Sequence, residues 1–138
     1  ADDDAAIRYS DAPNYTDTNQ RAVKEMVRQV GKGAFDENDC LTRGLIIRHL
    51  VLPGNIAGTE KILAFIAKEL SREIPISLMS QYDPCFEAVD KPPLDRMIFL
   101  EEYEYAVSLL KKYGLENGWI QESRGLKRFS GKNIKRNI

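Results

Sequence analysis

The run Gly44-Leu45-Ile46-Ile47-Arg48-His49-Leu50-Val51-Leu52, halted by Pro53-Gly54, limits the architecture more than any other feature of this sequence. It is short, nearly continuous in apolar residues and rich in β-branched ones. That is the pattern of a strand buried on both faces, as parallel strands are. A second run, Ile74-Pro75-Ile76-Ser77-Leu78-Met79-Ser80-Gln81-Tyr82, also reads as a strand. Pro75 is tolerated at its opening, where no ladder hydrogen bond need be donated. Between the two, residues 59–70 place Ile62, Leu63, Phe65, Ile66 and Leu70 at helical spacing, with Thr59 as the expected cap. Residues 101–113 repeat the pattern with Tyr103, Ala106, Val107, Leu109, Leu110 and Tyr113 inward and Gly114 as the stop. Trp119-Ile120 is a further short strand. Strand, helix, strand, helix, strand is the order of βαβ units joined by right-handed crossovers.

Ahead of this core, Ala22, Val23, Met26, Val27 and Val30 form one helical stripe, with Thr16 or Asp17 as cap and Gly31 at the stop. A short helix at residues 7–9 is set off from it by Ala12-Pro13-Asn14. Residues 33–41, polar in the middle with apolar ends, suggest a small hairpin, and residues 83–93, with three prolines, a loop. The 138 residues are enough for one core but too few for an eight-stranded α/β barrel, which takes about 250. The expected fold is therefore α/β: a partial (β/α) barrel, roughly a C-terminal half, over residues 1–123. A basic tail, 124–138, follows and carries Arg124, Lys127, Arg128, Lys132, Lys135 and Arg136 without an acid. Such a run reads as a solvated terminus or as a contact surface for an acidic partner or nucleic acid.

Composition narrows the function classes. With 43% hydrophobic and 30% charged residues the chain has the balance of a folded globular protein. No apolar run approaches the roughly 20 residues of a membrane span. A net charge of −1 argues against a dedicated nucleic-acid binder. Cys40 and Cys85 lie too far apart to suggest a disulfide framework, so a cytoplasmic location is expected. One His and two Cys do not supply a structural zinc site. The opening residues are acidic and polar, unlike a signal peptide, and the absence of an initiator Met suggests a trimmed or engineered piece.

Arg48 is the residue most suggestive of chemistry. A guanidinium inside an apolar strand costs several kcal/mol unless a partner or a wet cavity receives it. Either a carboxylate pairs with it, or it faces a site at the carboxyl ends of barrel strands. His49 points to the other side, toward covering helices, as a structural histidine. Tyr82 ends the second strand on the same rim, where it either stacks on a ring or simply packs. Glu101, Glu102 and Glu104 read as a solvated helix face, and Cys40 and Cys85 as incidental thiols. No phosphate loop or Ser/His/Asp arrangement is present.

The run Arg43 through Asn55 resembles a strand of the radical S-adenosylmethionine (SAM) glycyl-radical activating enzymes, closest to the pyruvate formate-lyase activating enzyme-like subgroup. Other matching stretches are Tyr9-Ser10-Asp11-Ala12-Pro13-Asn14-Tyr15, Glu25-Met26-Val27-Arg28-Gln29-Val30-Gly31, Leu78-Met79-Ser80-Gln81-Tyr82 and Gly114-Leu115-Glu116-Asn117-Gly118-Trp119-Ile120-Gln121. The resemblance implies a radical SAM partial barrel with SAM across the carboxyl ends of its strands. It implies that Arg48 contacts SAM, that Leu50 packs near the adenine, and that Met79 and Tyr82 stand near the adenine at the next strand's end. Family members best matched to that motif carry His in place of Tyr82. It further implies an oxidoreductase parent that cleaves SAM reductively at a [4Fe–4S] cluster, giving a 5′-deoxyadenosyl radical for glycyl-radical formation on a partner enzyme. A flavodoxin-type or ferredoxin-type donor would supply the electron. The family's C-x3-C-x2-C loop and its Gly-Gly-Glu type segment are both missing here. The chain by itself is thus expected to hold no cofactor, to be inactive, and either to self-associate through the cut edge of its sheet or to fold a terminal segment over that edge. The alternative is a non-catalytic α/β binding module.

Overall fold

A computed structural model describes residues 2–38, 40–122 and 125–130. Two helices open the chain. Asp2 accepts the Ala5 N–H at 2.9 Å and caps α1 (Asp3–Ser10), which stops at Asp11 in the left-handed region. Helix α2 (Tyr15–Val30) follows. Neither Thr16 nor Asp17 is its cap. Asn14 holds that position without a side-chain bond, and Asp3 of α1 accepts the Thr16 N–H at 2.9 Å. A free helix N–H needs an acceptor, and here a neighbouring helix provides it.

The expected hairpin is present as β1 (Ala34–Phe35) and β2 (Leu41–Arg43), paired antiparallel. The main sheet holds β3 (Ile47–Leu50), β4 (Ile76–Met79), β5 (Asn117–Glu122) and β6 (Gly125–Ser130) in that order. The first three are parallel and β6 returns antiparallel. The sheet thus runs into the segment expected as a basic tail, and residues 131–138 of that tail lie outside the described ones. Among the described residues the sheet is open and closes into no barrel; the fold is mixed α/β.

Helix α3 (Thr59–Phe65) runs on as a π-helical turn, Ile66–Leu70, and joins β3 to β4. Gly58, not Thr59, caps it, while the Asn55 side chain accepts the Thr59 N–H at 3.1 Å. Helix α4 (Leu100–Lys112) joins β4 to β5. Leu63 and Ile66 on one side, and Ala106, Leu109 and Leu110 on the other, close over Val51, Ile76 and Leu78. Removing each such side chain from water is worth about 1.5–3 kcal/mol. Gly118 is fixed by this packing. Its φ is +137°, and a Cβ there would stand 1.9 Å from the Ile76 carbonyl oxygen of the adjacent strand.

The helix layer covers one face only, so β3 is not buried on both faces. Along it His49 is buried while Arg48 is exposed and Leu50 half-buried. No helix among the described residues is long and apolar enough to cross a membrane.

One side chain fastens α4 to two strands. The Tyr103 hydroxyl donates to the Leu78 carbonyl at 3.1 Å and accepts the Gln121 N–H at 2.7 Å. Tyr103→Phe should lower stability by about 1–3 kcal/mol, since two polar groups lose a partner where water enters poorly. Urea unfolding of the two proteins measures the difference, and equal midpoints would contradict this account.

Candidate functional site

Strand alternation decides which side chains share the open face. Register sets Arg48 beside Ser77, and Ser77 beside Trp119; one step on, Leu50 lies beside Met79. All project opposite to His49, Leu78 and Ile120, which face the helices. Three of the four expected ligand contacts, Arg48, Leu50 and Met79, therefore stand together toward the carboxyl ends of adjacent parallel strands. A guanidinium nitrogen of Arg48 lies 3.2 Å from the Met79 sulfur. Among the described residues Arg48 makes no ion pair.

Tyr82 departs from this group. It lies three residues beyond the end of β4, and its hydroxyl donates to the Leu94 carbonyl at 2.7 Å. Burial first, then the nearby charges of Cys85, Asp83 and Asp95, hold its phenol above the usual range. It braces the loop between β4 and α4. Arg48 borders a groove of about 350 Å³ and Leu50 an adjoining one of about 310 Å³. A cleft of about 760 Å³ opens beside α4, between Ser80, Ile120 and Gln121 of the sheet and Met97, Phe99 and Leu100 of the entering loop.

The rim carries residues that the sequence reading passed over. Gln121 accepts the Ser80 N–H at 2.6 Å and donates to the Gln81 side chain at 2.8 Å, tying the ends of β4 and β5. It shares the parity of Trp119, so strict alternation from that residue would have found it. Glu102 is not on a solvated face. It accepts both Arg96 guanidinium nitrogens, at 2.8 and 2.9 Å, the Phe99 N–H at 2.7 Å and the Gly54 N–H at 2.7 Å. Arg96 above all, with the backbone donors, pulls its carboxyl down to about 2. One carboxylate thereby joins the loop after β3 to the start of α4.

His49 is the buried polar residue behind the site. Its Nε2 lies 3.0 Å from the Thr59 hydroxyl, and burial holds its pKa down from 6.5 to about 4. The imidazole is neutral at neutral pH and serves packing. Cys40 and Cys85 are exposed thiols. Among the described residues no group of three His, Cys, Asp or Glu could hold a metal ion.

No family model matches the sequence, and no solved structure matches it significantly. The chain is similar to the uncharacterized protein MJ0674 of Methanocaldococcus jannaschii, at 41% identity over 73 residues. The match takes in 52% of this chain and 21% of that protein, so it spans about a fifth of the relative's length.

The neutral state of His49 gives a pH signature. Between pH 6.5 and about 4 the unfolded chain binds a proton that the folded chain refuses, so stability is full above pH 6.5 and falls as pH drops toward 4. The loss reaches about 3 kcal/mol at most. His49→Gln should flatten this part of the stability–pH curve measured by thermal unfolding. An unchanged slope would refute the assignment.

Proposed function

We propose that this chain is part of a radical SAM activating-type enzyme and forms one wall of its SAM site. The observation that carries the reading is the shared open face: Arg48, Leu50 and Met79 meet toward the carboxyl ends of parallel strands, clear of the helix layer. A free guanidinium between an aliphatic side chain and a thioether suits a ligand with a carboxylate or ribose next to a flat ring. Burial on the far side supports it, because His49, Leu78 and the α4 contacts fix the strands from which these groups project. The resemblance around residues 43–55 and 78–82 points the same way. Tyr82 contributes by holding the loop at Leu94 rather than by touching the ligand.

The iron–sulfur cluster is a different matter. Such clusters are held by cysteine thiolates, and this chain has only Cys40 and Cys85, in a hairpin and in a distant loop. These residues do not fit the group. In this reading the cluster ligands, the contacts of the electron donor and the reaction centre belong to other parts of a longer protein. The glycyl-radical partner, the oxidoreductase activity and the completed (β/α) half barrel are likewise properties proposed for that whole. What this chain's residues do is bind and orient: Arg48 answers a negative or hydroxyl-rich part of the ligand, while Leu50 and Met79 exclude water from its ring.

Titration of the isotopically labelled chain with SAM tests the reading. Weak, saturable shifts are expected at the Arg48 and Leu50 amides and the Met79 methyl, and Arg48→Ala should weaken binding at least about tenfold, as for a lost charged hydrogen bond. Absence of shifts at these three positions, or equal binding by the variant, would sink it. Anaerobic incubation with iron, sulfide and SAM should yield no deoxyadenosine from this chain.

A further inference from the structure

Tyr82, the ring expected beside the ligand, turns away to Leu94, but the open face carries another aromatic side chain. Trp119, the sole tryptophan of the sequence, stands half-buried on β5. Register lines up Arg48, Ser77 and Trp119 as one row across β3, β4 and β5. Two strand spacings, about 9–10 Å, separate the backbones of Arg48 and Trp119, with only the small Ser77 between them. That leaves a trough with a guanidinium on one side and an indole on the other. Met79, two residues beyond Ser77, lies diagonal to Trp119, an offset that aromatic and long side chains bridge across a strand pair.

The indole is held from the amino ends of the strands. Hairpin β1–β2 is fastened there by the Lys32–Glu73 ion pair at 2.8 Å and by Gly33, where a Cβ would stand 2.6 Å from Cγ of Pro75. The hairpin brings Phe35 to Trp119, with ring centroids 6.5 Å apart and planes tilted at 45°. Aromatic pairs attract at that distance and tilt. Phe35 thus keeps the indole from falling toward the amino ends, while Met79 stands on its carboxyl-end side.

Stacking on an aromatic face is a general way for a protein to hold a nucleobase, because every base has a flat π-surface. We infer that Trp119 is the base platform of the proposed SAM site. The adenine stacks on its indole beside Met79, and Arg48 across the trough answers the ribose or the carboxylate. Phe35 is a positioning residue that sets the angle of the indole. This role rests on the SAM reading of the open face and deepens it by naming the group that recognises the base. It supplies the ring that Tyr82 does not. The Met79 thioether beside a flat ring is a favourable contact in its own right.

A lone tryptophan makes its emission a direct report on this contact in the whole chain. SAM and adenosine should quench it saturably, SAM at the same midpoint as the amide shifts of Arg48, while methionine should leave it unchanged. Affinities of the variants are read from those amide shifts. Trp119→Phe keeps a ring and should hold SAM affinity to within about threefold, whereas Trp119→Leu should weaken it about tenfold or more, as for a lost base–aromatic stack. Phe35→Leu should lower the quenching reached at saturating adenosine, and Phe35→Tyr should restore it. Shifts at Arg48, Leu50 and Met79 without quenching, or equal affinity of the two Trp119 variants, would overturn the platform and leave the SAM reading standing. Binding absent by every readout would overturn both. Quenching by methionine but not by adenosine would overturn the assignment of the base. Should Trp119→Leu fail to fold, the contrast between adenosine and methionine in the natural chain decides.

Discussion

The hydroxyl of Tyr103 is the interaction on which the geometry of the rest depends. It sits where α4 crosses the ends of β4 and β5, joined to the Leu78 carbonyl and the Gln121 N–H. Apolar burial drives α4 onto the sheet but is non-directional, and would tolerate the helix sliding along it. A buried two-way hydrogen bond does not, because a shift of an ångström or two leaves two polar groups unpaired at about 1–3 kcal/mol each. Gln121 extends the constraint to Ser80 and Gln81, and Glu102 extends it through Arg96, Phe99 and Gly54 to the loop after β3. The strand ends are thus fixed from the helix side, while the opposite face is free of helices.

That asymmetry explains where Arg48 lies. On a sheet covered on both sides its guanidinium would need a carboxylate. Here, among the described residues, no helix covers the second face, and the guanidinium lies exposed beside a polarizable sulfur. The Glu60 cluster shows the contrasting case: Lys112, Tyr105 and Tyr113 all converge on that carboxylate to lace α3 to α4 on the outer surface, and together hold it down to about 2. Where cohesion between elements is at issue the chain pairs its charges. On the open face it does not.

The order of elements was legible because it rests on period: the 3.6-residue stripes of α2, α3 and α4 and the short β-branched runs of β3 and β4 are local signals. The shared face of Arg48 and Leu50 was legible too from two-residue alternation, whereas Met79 joined them through the family resemblance and the register that aligns it belongs to the structure. Helix caps were not. Thr16 and Thr59 have the right chemistry, but both lie inside their helices, and Asp3 and Asn55 from preceding segments accept their N–H groups, an arrangement settled in three dimensions. Burial of β3 on both faces was overestimated for a related reason: apolar content says a strand is fit to be covered, not that a second layer exists. Glu102 was misread because three glutamates in a helix's first turns look like a solvated face, and only Arg96, six residues earlier in an irregular loop, gives it a different role.

Helix α2 carries the argument further. A helix of this length is marginal in water by its own propensity, and most of a helix's stability ordinarily comes from burying its apolar stripe. This one buries no residue fully. What holds it in the described chain is polar and local: Asp3 at its start, the Gly31 N–H on Val27 at its end, the Glu25–Arg28 pair along it, and Lys24 reaching Glu69 of the π-helical turn. Exposed ion pairs of that kind are worth about 0–1 kcal/mol each. Of the periodic stripe, Val23 and Val27 are half-buried while Met26 and Val30 stay exposed, and Val23 and Met26 border the groove of about 350 Å³ beside β3. The helix that the chain buries least and the edge strand of its main sheet therefore border one groove.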